Sequence, residues 1–283
     1  MLIKLKGILM HPTKRILLSA VAATALVSLS PFTTYAQAST ESKAPATAKS
    51  ASPVAQTALE PAAIDLLKAT TAKLAAAKSL GFTATVGYEY PSALGPALLY
   101  TVRYDVSLQR PDQLRIIIPG DGPASEFYFD GKRVIAYLPA EDLVAIADAP
   151  ATIEGALKQA YDRSATYFPF ADLLIADPYA ALADRVSLAY VIGESSQIAG
   201  VRTKMIAVAN DAVFLQIWIG AEDKLPRRIR AVYRDDPLRL RHDMLLSNWT
   251  VDAQMPAGTF SSDKARQGKP MQFKNPAVKS PQQ

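Results

Sequence analysis

Few residues of this sequence have side chains suited to catalysis. Cysteine is absent, and the 283 residues include two histidines, His11 and His242. A Ser–His–Asp triad would depend on His242 once the N-terminal segment is removed, and no Gly-x-Ser-x-Gly elbow accompanies it. One histidine without cysteine also lacks the usual ligands of zinc and copper, so we expect no metal and no cofactor. His242 lies in a predicted strand, and we interpret it as structural; a catalytic role is the alternative.

Acidic pairs are the other candidates for acid–base chemistry. Glu141-Asp142, Glu222-Asp223 and Asp235-Asp236 all fall at predicted turns. Acidic residues are common at turns because their side chains bond to the backbone, although paired carboxylates also serve as general acid and base. The sequence has no glycine-rich phosphate loop either. Together these observations favour a binding protein over an enzyme.

Arginines gather in one predicted strand near residue 230. Arg228, Arg230 and Arg234 alternate there with apolar residues such as Ile229. Because strand side chains alternate between faces, these arginines should share the face opposite the apolar one. We interpret them as a solvated basic face; a strip that binds anions or lipid headgroups is the alternative.

The N-terminus is typical of a secretory signal peptide. Residues 1–15 carry four basic and no acidic residues, residues 16–29 are mainly apolar, and Ala36-Gln37-Ala38 fits a cleavage site. The apolar run is shorter than the roughly 20 residues that span a bilayer. We therefore expect residues 1–38 to be removed on export, leaving a soluble periplasmic protein of a Gram-negative bacterium. A retained membrane anchor is the alternative.

Removing this segment changes the charge balance. The rest of the chain has 27 basic and 26 acidic residues, so the overall pI of about 9.2 does not indicate nucleic-acid binding. Residues 39–58 are rich in Ala, Ser, Thr and Pro, which predicts a disordered linker. Residues 274–283 are expected to form a flexible basic tail. We expect a monomer with no stable transmembrane segment after processing, whose stability rests on a packed core rather than disulfides.

Hydrophobic periodicity predicts a helix followed by a sheet in the first half of the chain. The helix begins near Pro61, which suits a first helical turn, and ends before Gly81. From Phe82 the apolar period changes to two, which predicts about six antiparallel strands ending near Ala147. Asp130-Gly131 is typical of a tight hairpin turn in this meander.

The second half of the chain repeats this pattern. Thr152 is placed to cap a helix that runs to about Thr166, and two short helical pieces should flank Pro178. Five further strands are then predicted at residues 186–193, 201–209, 213–219, 227–233 and 238–251.

Several short motifs occur in a fixed order between residues 59 and 273. They are Phe129-Asp130-Gly131, Gly200-Val201, Gln216-Ile217-Trp218-Ile219, Leu225-Pro226-Arg227-Arg228, Tyr233 and Leu246-Ser247-Asn248-Trp249. On these residues the sequence resembles a family of predicted periplasmic proteins with a domain of unknown function. That family looks related to the LolA-like and LppX-like lipoprotein carriers and to the RseB N-terminal domain. Its members often carry a Cys-x-His pair just after the glycine at position 200, where this chain has Thr203 and Met205, so no thiol or metal role is implied here.

The resemblance implies an α+β fold in one domain over residues 59–273. Its core would be a LolA-like, half-open antiparallel β-barrel of about 10–11 strands wrapped around a few helices. Relatives of this shape shelter acyl chains between sheet and helices, which implies a carrier for a lipid or lipoprotein acyl chain in outer-membrane biogenesis. The related sensor domain suggests an alternative, an envelope protein-interaction or stress-sensing module without bound lipid.

One face of the predicted sheet supplies the candidate ligand-binding residues. They are Val102, Tyr104, Ile116, Phe127, Leu215, Ile217, Ile229 and Tyr233. Helices beginning near Pro61, Thr152 and Phe170 must cover this concave face, and thin alanine-rich helices should leave a cleft between themselves and the sheet. The alternative is that the same residues close a dry core.

Overall fold

The structure, a computed structural model, describes residues 59–120 and 123–273. The predicted signal peptide, linker and basic tail lie outside the described residues. The helices are α1 (Pro61–Ala76), α2 (Ile153–Ser164), α3 (Ala171–Leu174), α4 (Pro178–Leu182) and α5 (Asp263–Gln267). The strands are β1 (Ser79–Ser92), β2 (Gly95–Gln109), β3 (Gln113–Ile118), β4 (Ser125–Asp130), β5 (Arg133–Leu138), β6 (Leu143–Asp148), β7 (Leu188–Ile198), β8 (Val201–Ala209), β9 (Val213–Gly220), β10 (Pro226–Tyr233), β11 (Arg241–Val251) and β12 (Lys269–Pro270).

All twelve described strands join one open sheet. Its order is β12-β6-β5-β4-β3-β2-β1-β11-β10-β9-β8-β7, so two meanders meet where β1 pairs with β11. Neighbouring strands are antiparallel except β12, which runs parallel to β6. The edge strands β7 and β12 do not pair with each other, and the predicted open antiparallel sheet with a few helices is therefore confirmed. The count exceeds the expected 10–11 because of the two-residue β12.

Local signals account for the positions of the main helices. Thr152 caps α2, since its hydroxyl oxygen accepts a hydrogen bond from the Gly155 amide at 3.1 Å. The α2 helix ends at Ala165, which adopts a left-handed conformation and donates its amide to Tyr161. The α1 helix begins at Pro61 as predicted and ends at Ala76, because pairing of Ser79 with Gln109 already starts β1 there.

The main core lies between the sheet and helices α1 to α4. Leu67 and Leu74 of α1 and Leu173 of α3 are buried against strand residues such as Leu108 and Leu246. The opposite face of the sheet carries a smaller cluster around Tyr137, Ile135 and Ala265 of α5. The helix-covered face is therefore the principal apolar face, as the alternation of side chains predicts.

Two strand boundaries differ clearly from the predictions. β7 runs to Ile198 rather than ending near residue 193. β11 begins at Arg241 rather than residue 238, because the Asp236 carboxylate accepts the amides of Leu238 and Leu240 and holds a loop there. The α5 helix and β12 were not predicted. None of the described helices is both long and apolar enough to cross a membrane.

Candidate functional site

A cavity of about 480 Å³ lies on the helix-covered face, beside β2 to β6. The loop between α2 and α3 and the C-terminal segment Met271–Phe273 complete its wall. Its lining residues are Tyr104, Ile116, Ile118, Ser125, Glu126, Phe127, Ala136, Tyr137, Leu138, Ala145, Ser164, Thr166, Tyr167, Phe168, Met271, Gln272 and Phe273. The wall is mainly apolar, which is typical of small-molecule binding sites.

Aromatic rings form one side of this cavity. Phe168 meets Phe127 edge-on with ring centroids 5.2 Å apart, and it stacks on Phe170 at 6.0 Å. Tyr104 also contacts Phe170 edge-on, at 5.2 Å. Edge-to-face pairs of this kind add to the free energy of burial and fix the ring positions. The sheet contributes two of the rings and the segment before α3 contributes the others, so the cavity wall depends on both layers.

The C-terminal segment forms the opposite wall. The Met271 amide donates a hydrogen bond to the Val144 carbonyl at 2.7 Å. The Lys269 amide donates one to the Asp142 carbonyl at the same distance. These bonds extend the edge of the sheet through β12. Phe273 then turns onto the helix-covered face and packs against the core. The chain therefore crosses from one face of the sheet, where α5 lies, to the cavity on the other.

A pair of tyrosine hydroxyls brings polarity to one end of the cavity. The Tyr167 and Tyr233 hydroxyls interact through a hydrogen bond, and burial raises the pKa of Tyr167 well above its usual range. Burial likewise raises the pKa of Tyr233 to about 12, and that of Tyr104 to about 12. Desolvation disfavours the phenolate form of each side chain, so all three remain neutral hydrogen-bonding groups at ordinary pH.

The eight predicted ligand-binding residues share the helix-covered face, but they do not share the cavity. Tyr104, Ile116 and Phe127 line it. The other five contribute to the core or pack against it: Val102, Leu215, Ile217, Ile229 and Tyr233. α1 packs over β7 and β8 and covers the half of the sheet that carries Leu215 and Ile217. Val102 lies in β2, two residues beyond Tyr104 and outside the cavity lining. The expected cleft beneath the alanine-rich α1 helix is thus replaced by a cavity beneath the α2–α3 loop.

Sequence reasoning missed several cavity residues. Phe168 and Tyr167 belong to a segment assigned only to short helices, and Phe273 lies at the end of the predicted domain. The aromatic run Tyr167-Phe168-Pro169-Phe170 was a usable signal, since three large rings in a short connection need a buried surface. Ala136 gave no signal, because a small residue in a strand marks open space only when its neighbours are known.

His242 is not among the cavity-lining residues and lies in β11, opposite Tyr88 of β1. Its ring meets the Tyr233 ring edge-on at 5.4 Å. Burial lowers the pKa of His242, and the nearby carboxylates of Asp236 and Glu89 oppose that effect in part. The neutral imidazole is therefore favoured where the side chain packs.

Several arginines of β10 and its neighbours pair with acids. Arg228 forms an ion pair with Asp243 and lies over the Trp218 ring, 5.1 Å from its centroid. Arg227 pairs with Asp223 in the same manner. Of the predicted strip, Arg228 is therefore compensated by an acid, whereas Arg227 lies outside the strip. The interpretation of the strip as a solvated basic face stays a prediction.

The three acidic pairs lie at turns. Asp142 accepts a hydrogen bond from the Tyr137 hydroxyl at 3.0 Å, and Asp223 accepts one from the Leu225 amide at 3.1 Å. Asp236 organises the loop before β11. In the part of the chain that the structure describes, no group of three or more His, Cys, Asp or Glu side chains is arranged to hold a metal ion.

The chain belongs to the family described as "Predicted periplasmic protein (DUF2092)", which it matches over residues 63–274. It is accordingly a periplasmic protein, and the predicted family and location are both confirmed. No curated protein is significantly similar to it.

Three solved structures share a general likeness to this chain. Lipoprotein LppX of Mycobacterium tuberculosis is 13% identical, with 70% of this chain and 99% of that chain covered and a TM-score of 0.45. LprF of Mycobacterium bovis is 18% identical, with 70% and 97% covered and a TM-score of 0.44. The MucA/MucB complex of Pseudomonas aeruginosa is 14% identical, with 72% of this chain and 62% of that chain covered and a TM-score of 0.42. At these values the neighbours do not identify a ligand for this chain.

Proposed function

We propose that this periplasmic protein binds an apolar ligand, a lipid or lipoprotein acyl chain, in the cavity beneath the α2–α3 loop. The observation that carries the proposal is the cavity itself, about 480 Å³ in volume and walled by aromatic and aliphatic side chains. Its volume lies within the range of about 300–1,000 Å³ that is usual for small-molecule sites. A role in lipid carriage or outer-membrane biogenesis would follow from such binding.

The apolar wall can supply enough free energy for useful affinity. Each buried methylene contributes about 0.8 kcal/mol, so ten methylenes contribute roughly 8 kcal/mol before ordering costs. A free energy of about −8 kcal/mol corresponds to a micromolar dissociation constant. The ring positions are already fixed by contacts such as that between Phe127 and Phe168, so little ordering of the wall is needed on binding.

The wall favours a ligand whose charged head stays outside. The described lining residues include no Lys, Arg or His to pair with a carboxylate or phosphate. Glu126 is the one charged residue among them, and its carboxylate accepts a hydrogen bond from the Tyr128 hydroxyl on the opposite face of the sheet. A buried anion would thus be unpaired, which is costly, so the cavity should select the acyl chain rather than the headgroup.

Filling the cavity is the direct test. Ala136 lies on its wall and is half-buried, so Ala136→Phe should occupy space that an acyl chain would use. We expect this variant to weaken binding of a neutral fluorescent naphthylamine probe by tenfold or more. Ala140→Phe is the matched control, because Ala140 is exposed in the β5–β6 turn, and it should bind like the wild type.

Two results would contradict the proposal. One is the absence of saturable probe binding by the wild-type protein. The other is unchanged binding by a folded Ala136→Phe variant, which would place the probe elsewhere. If the wild-type protein binds no lipid probe but retains a folded partner from envelope extract, the alternative protein-interaction role is favoured instead.

We also infer that the protein acts by binding rather than by catalysis. The inference is supported by the position of His242, partly buried against Tyr233, and by acidic pairs that serve turns. A turnover measured with the wild-type protein and lost in His242→Gln, with the fold intact, would overturn it.

A further inference from the structure

The hairpin formed by β1 and β2 extends beyond the strands on either side of it. β11 begins at Arg241, which lies beside Glu89, and β3 ends at Ile118, near Tyr104. The ribbon continues from there to the turn between Ser92 and Gly95. At about 3.3 Å per residue, its tip projects roughly 13 Å past the start of β11 and roughly 30 Å past the end of β3.

Large apolar side chains are exposed on both faces of this tip. Leu94, at the turn, is 97% exposed, and Leu98 and Leu99 are 49% and 68% exposed. Leu98 and Leu99 are adjacent in β2, so their side chains point to opposite faces of the ribbon. Two half-exposed tyrosines accompany them. Tyr90 lies opposite Leu98 across the ribbon, and Tyr100, in edge-on contact with Tyr90 at 6.2 Å, follows Leu99 in β2. Exposed strands usually carry charged side chains that keep them soluble, and this one does not.

Charge is distributed in layers along the hairpin. Residues 90–102 contain no Asp, Glu, Lys or Arg. Charged side chains begin immediately behind this segment, where Arg103 pairs with Asp105 at 3.0 Å and Arg241 pairs with Glu89 at 2.9 Å. The order from the tip inward is therefore Leu94, then Leu98 opposite Tyr90, then Leu99 opposite Glu89 with its partner Arg241, then Tyr100. The Arg103–Asp105 pair follows further in. An apolar end followed by aromatic and charged side chains is also found at membrane interfaces, where aromatic rings lie at the headgroup level.

We infer that the β1–β2 tip is a membrane-docking element that enters the interface of a lipid bilayer. Leu94 and Leu98 would reach the acyl boundary, and Leu99, Tyr90 and Tyr100 would lie among the headgroups. The Glu89–Arg241 pair, level with Leu99, would lie at the headgroup level too, and the Arg103–Asp105 pair would remain outside. The depth of the apolar layer fits the 5–10 Å to which interfacial elements are commonly buried. Deeper entry is disfavoured, because the unpaired backbone groups on the two edges of the ribbon need water or headgroups as partners.

The exposed leucines favour a bilayer over a folded protein as the partner. A protein surface that docks on one face of the ribbon would bury Leu98 or Leu99 and leave the other in water. A bilayer surrounds the tip and buries both faces together. Because the charged pairs behind the tip are internally neutral, apolar burial rather than attraction to anionic lipid should supply most of the binding free energy, so zwitterionic vesicles should suffice.

A fluorescent label at the tip can test this inference directly. The chain has no cysteine, so Ala93→Cys creates a unique attachment site for an environment-sensitive fluorophore in the full-length protein. Phosphatidylcholine vesicles should shift its emission to the blue, and added salt should change the shift little. Emission reports only on the tip, so membrane contact elsewhere on the chain does not contribute. A label at Ser196→Cys, near the β7–β8 turn at the other end of the sheet, should not respond.

Serine substitutions give the second readout. Leu94→Ser, Leu98→Ser and Leu99→Ser together, in the labelled protein, should weaken vesicle binding by on the order of a hundredfold. The matched control, Ile146→Ser with Ile192→Ser, removes two equally exposed side chains from β6 and β7 and should have no effect. Both sets should unfold at the wild-type midpoint. The inference is wrong if the wild-type label does not respond to vesicles, if the triple variant binds them equally well, or if the label responds only to a protein from envelope extract.

Discussion

Replacing Tyr104 with phenylalanine should remove part of the protein's sensitivity to alkaline pH. Burial raises the pKa of Tyr104 from 10 to about 12, with a smaller contribution from Tyr88. In the unfolded chain the phenol loses its proton near pH 10, whereas the folded protein retains it until about pH 12. Between these values the folded state binds more protons, so the free energy of unfolding falls as the pH rises. A shift of about two pKa units corresponds to roughly 2–3 kcal/mol for this one side chain.

The Tyr104→Phe variant keeps the aromatic contacts with Phe168 and Phe170 and removes the titrating hydroxyl. Urea unfolding at about pH 9 and about pH 12 should show a loss of stability roughly 2–3 kcal/mol smaller in the variant than in the wild type. Tyr90→Phe is the control, because that side chain is half exposed, and it should lose as much stability as the wild type. Equal losses in Tyr104→Phe and the wild type would refute the reasoning that burial sets this titration.

Three further predictions follow from contacts of single side chains. The Arg110 guanidinium donates to the carbonyls of Leu174 and Ile175, at the end of α3, so Arg110→Met should lower the free energy of unfolding by about 2–3 kcal/mol in a urea titration. Thr152→Ala removes the cap of α2 and should cost about 1 kcal/mol by the same assay, whereas Thr152→Ser should cost less. Because burial lowers the pKa of His242, the wild type should lose stability as the pH falls below about 6.5, and His242→Gln should reduce that loss. A pH profile of the variant that matches the wild type would show that His242 does not titrate in this way.

The parts of the fold that were predicted correctly depend on nearby residues. The Thr152 cap and the Asp130-Gly131 turn are held by hydrogen bonds between residues within three or four positions of each other in the sequence, and both are present as expected. The six strands of the first meander likewise follow from alternation and short turns. The β12 strand and α5 were missed because their stability comes from β5 and β6, more than a hundred residues earlier in the chain. A two-residue strand has no periodicity that could reveal such a partner.

The candidate site was predicted only in part for a related reason. Alternation assigns a side chain to a face of the sheet, and all eight candidates are on the expected face. It does not indicate which part of that face the helices leave open. Leu215 and Ile217 were indistinguishable in sequence from Ile116, yet they lie in the half of the sheet that α1 closes. Only the positions of α1, the α2–α3 loop and Phe273 separate cavity from core.

The β2 strand connects the two proposed sites. Tyr104 lines the cavity and Tyr100 belongs to the tip, so about 13 Å of extended strand separates them. Ile118 and Ser125, also on the cavity wall, lie at the same end of the sheet as the tip. A protein docked through the tip would therefore hold this side of the cavity close to the lipid surface.

A substitution in one site should nevertheless leave ligand binding at the other site unchanged. Ala136→Phe fills the cavity and leaves the tip unchanged, so it should bind vesicles normally while losing the naphthylamine probe. The triple serine variant should show the reverse, because Leu94, Leu98 and Leu99 do not line the cavity. Loss of both activities in either folded variant would mean that a single apolar surface was responsible for both, and the separation of cavity and docking tip would be wrong. Transfer of a lipid from vesicles to the protein should need both sites, so each variant should slow it on its own.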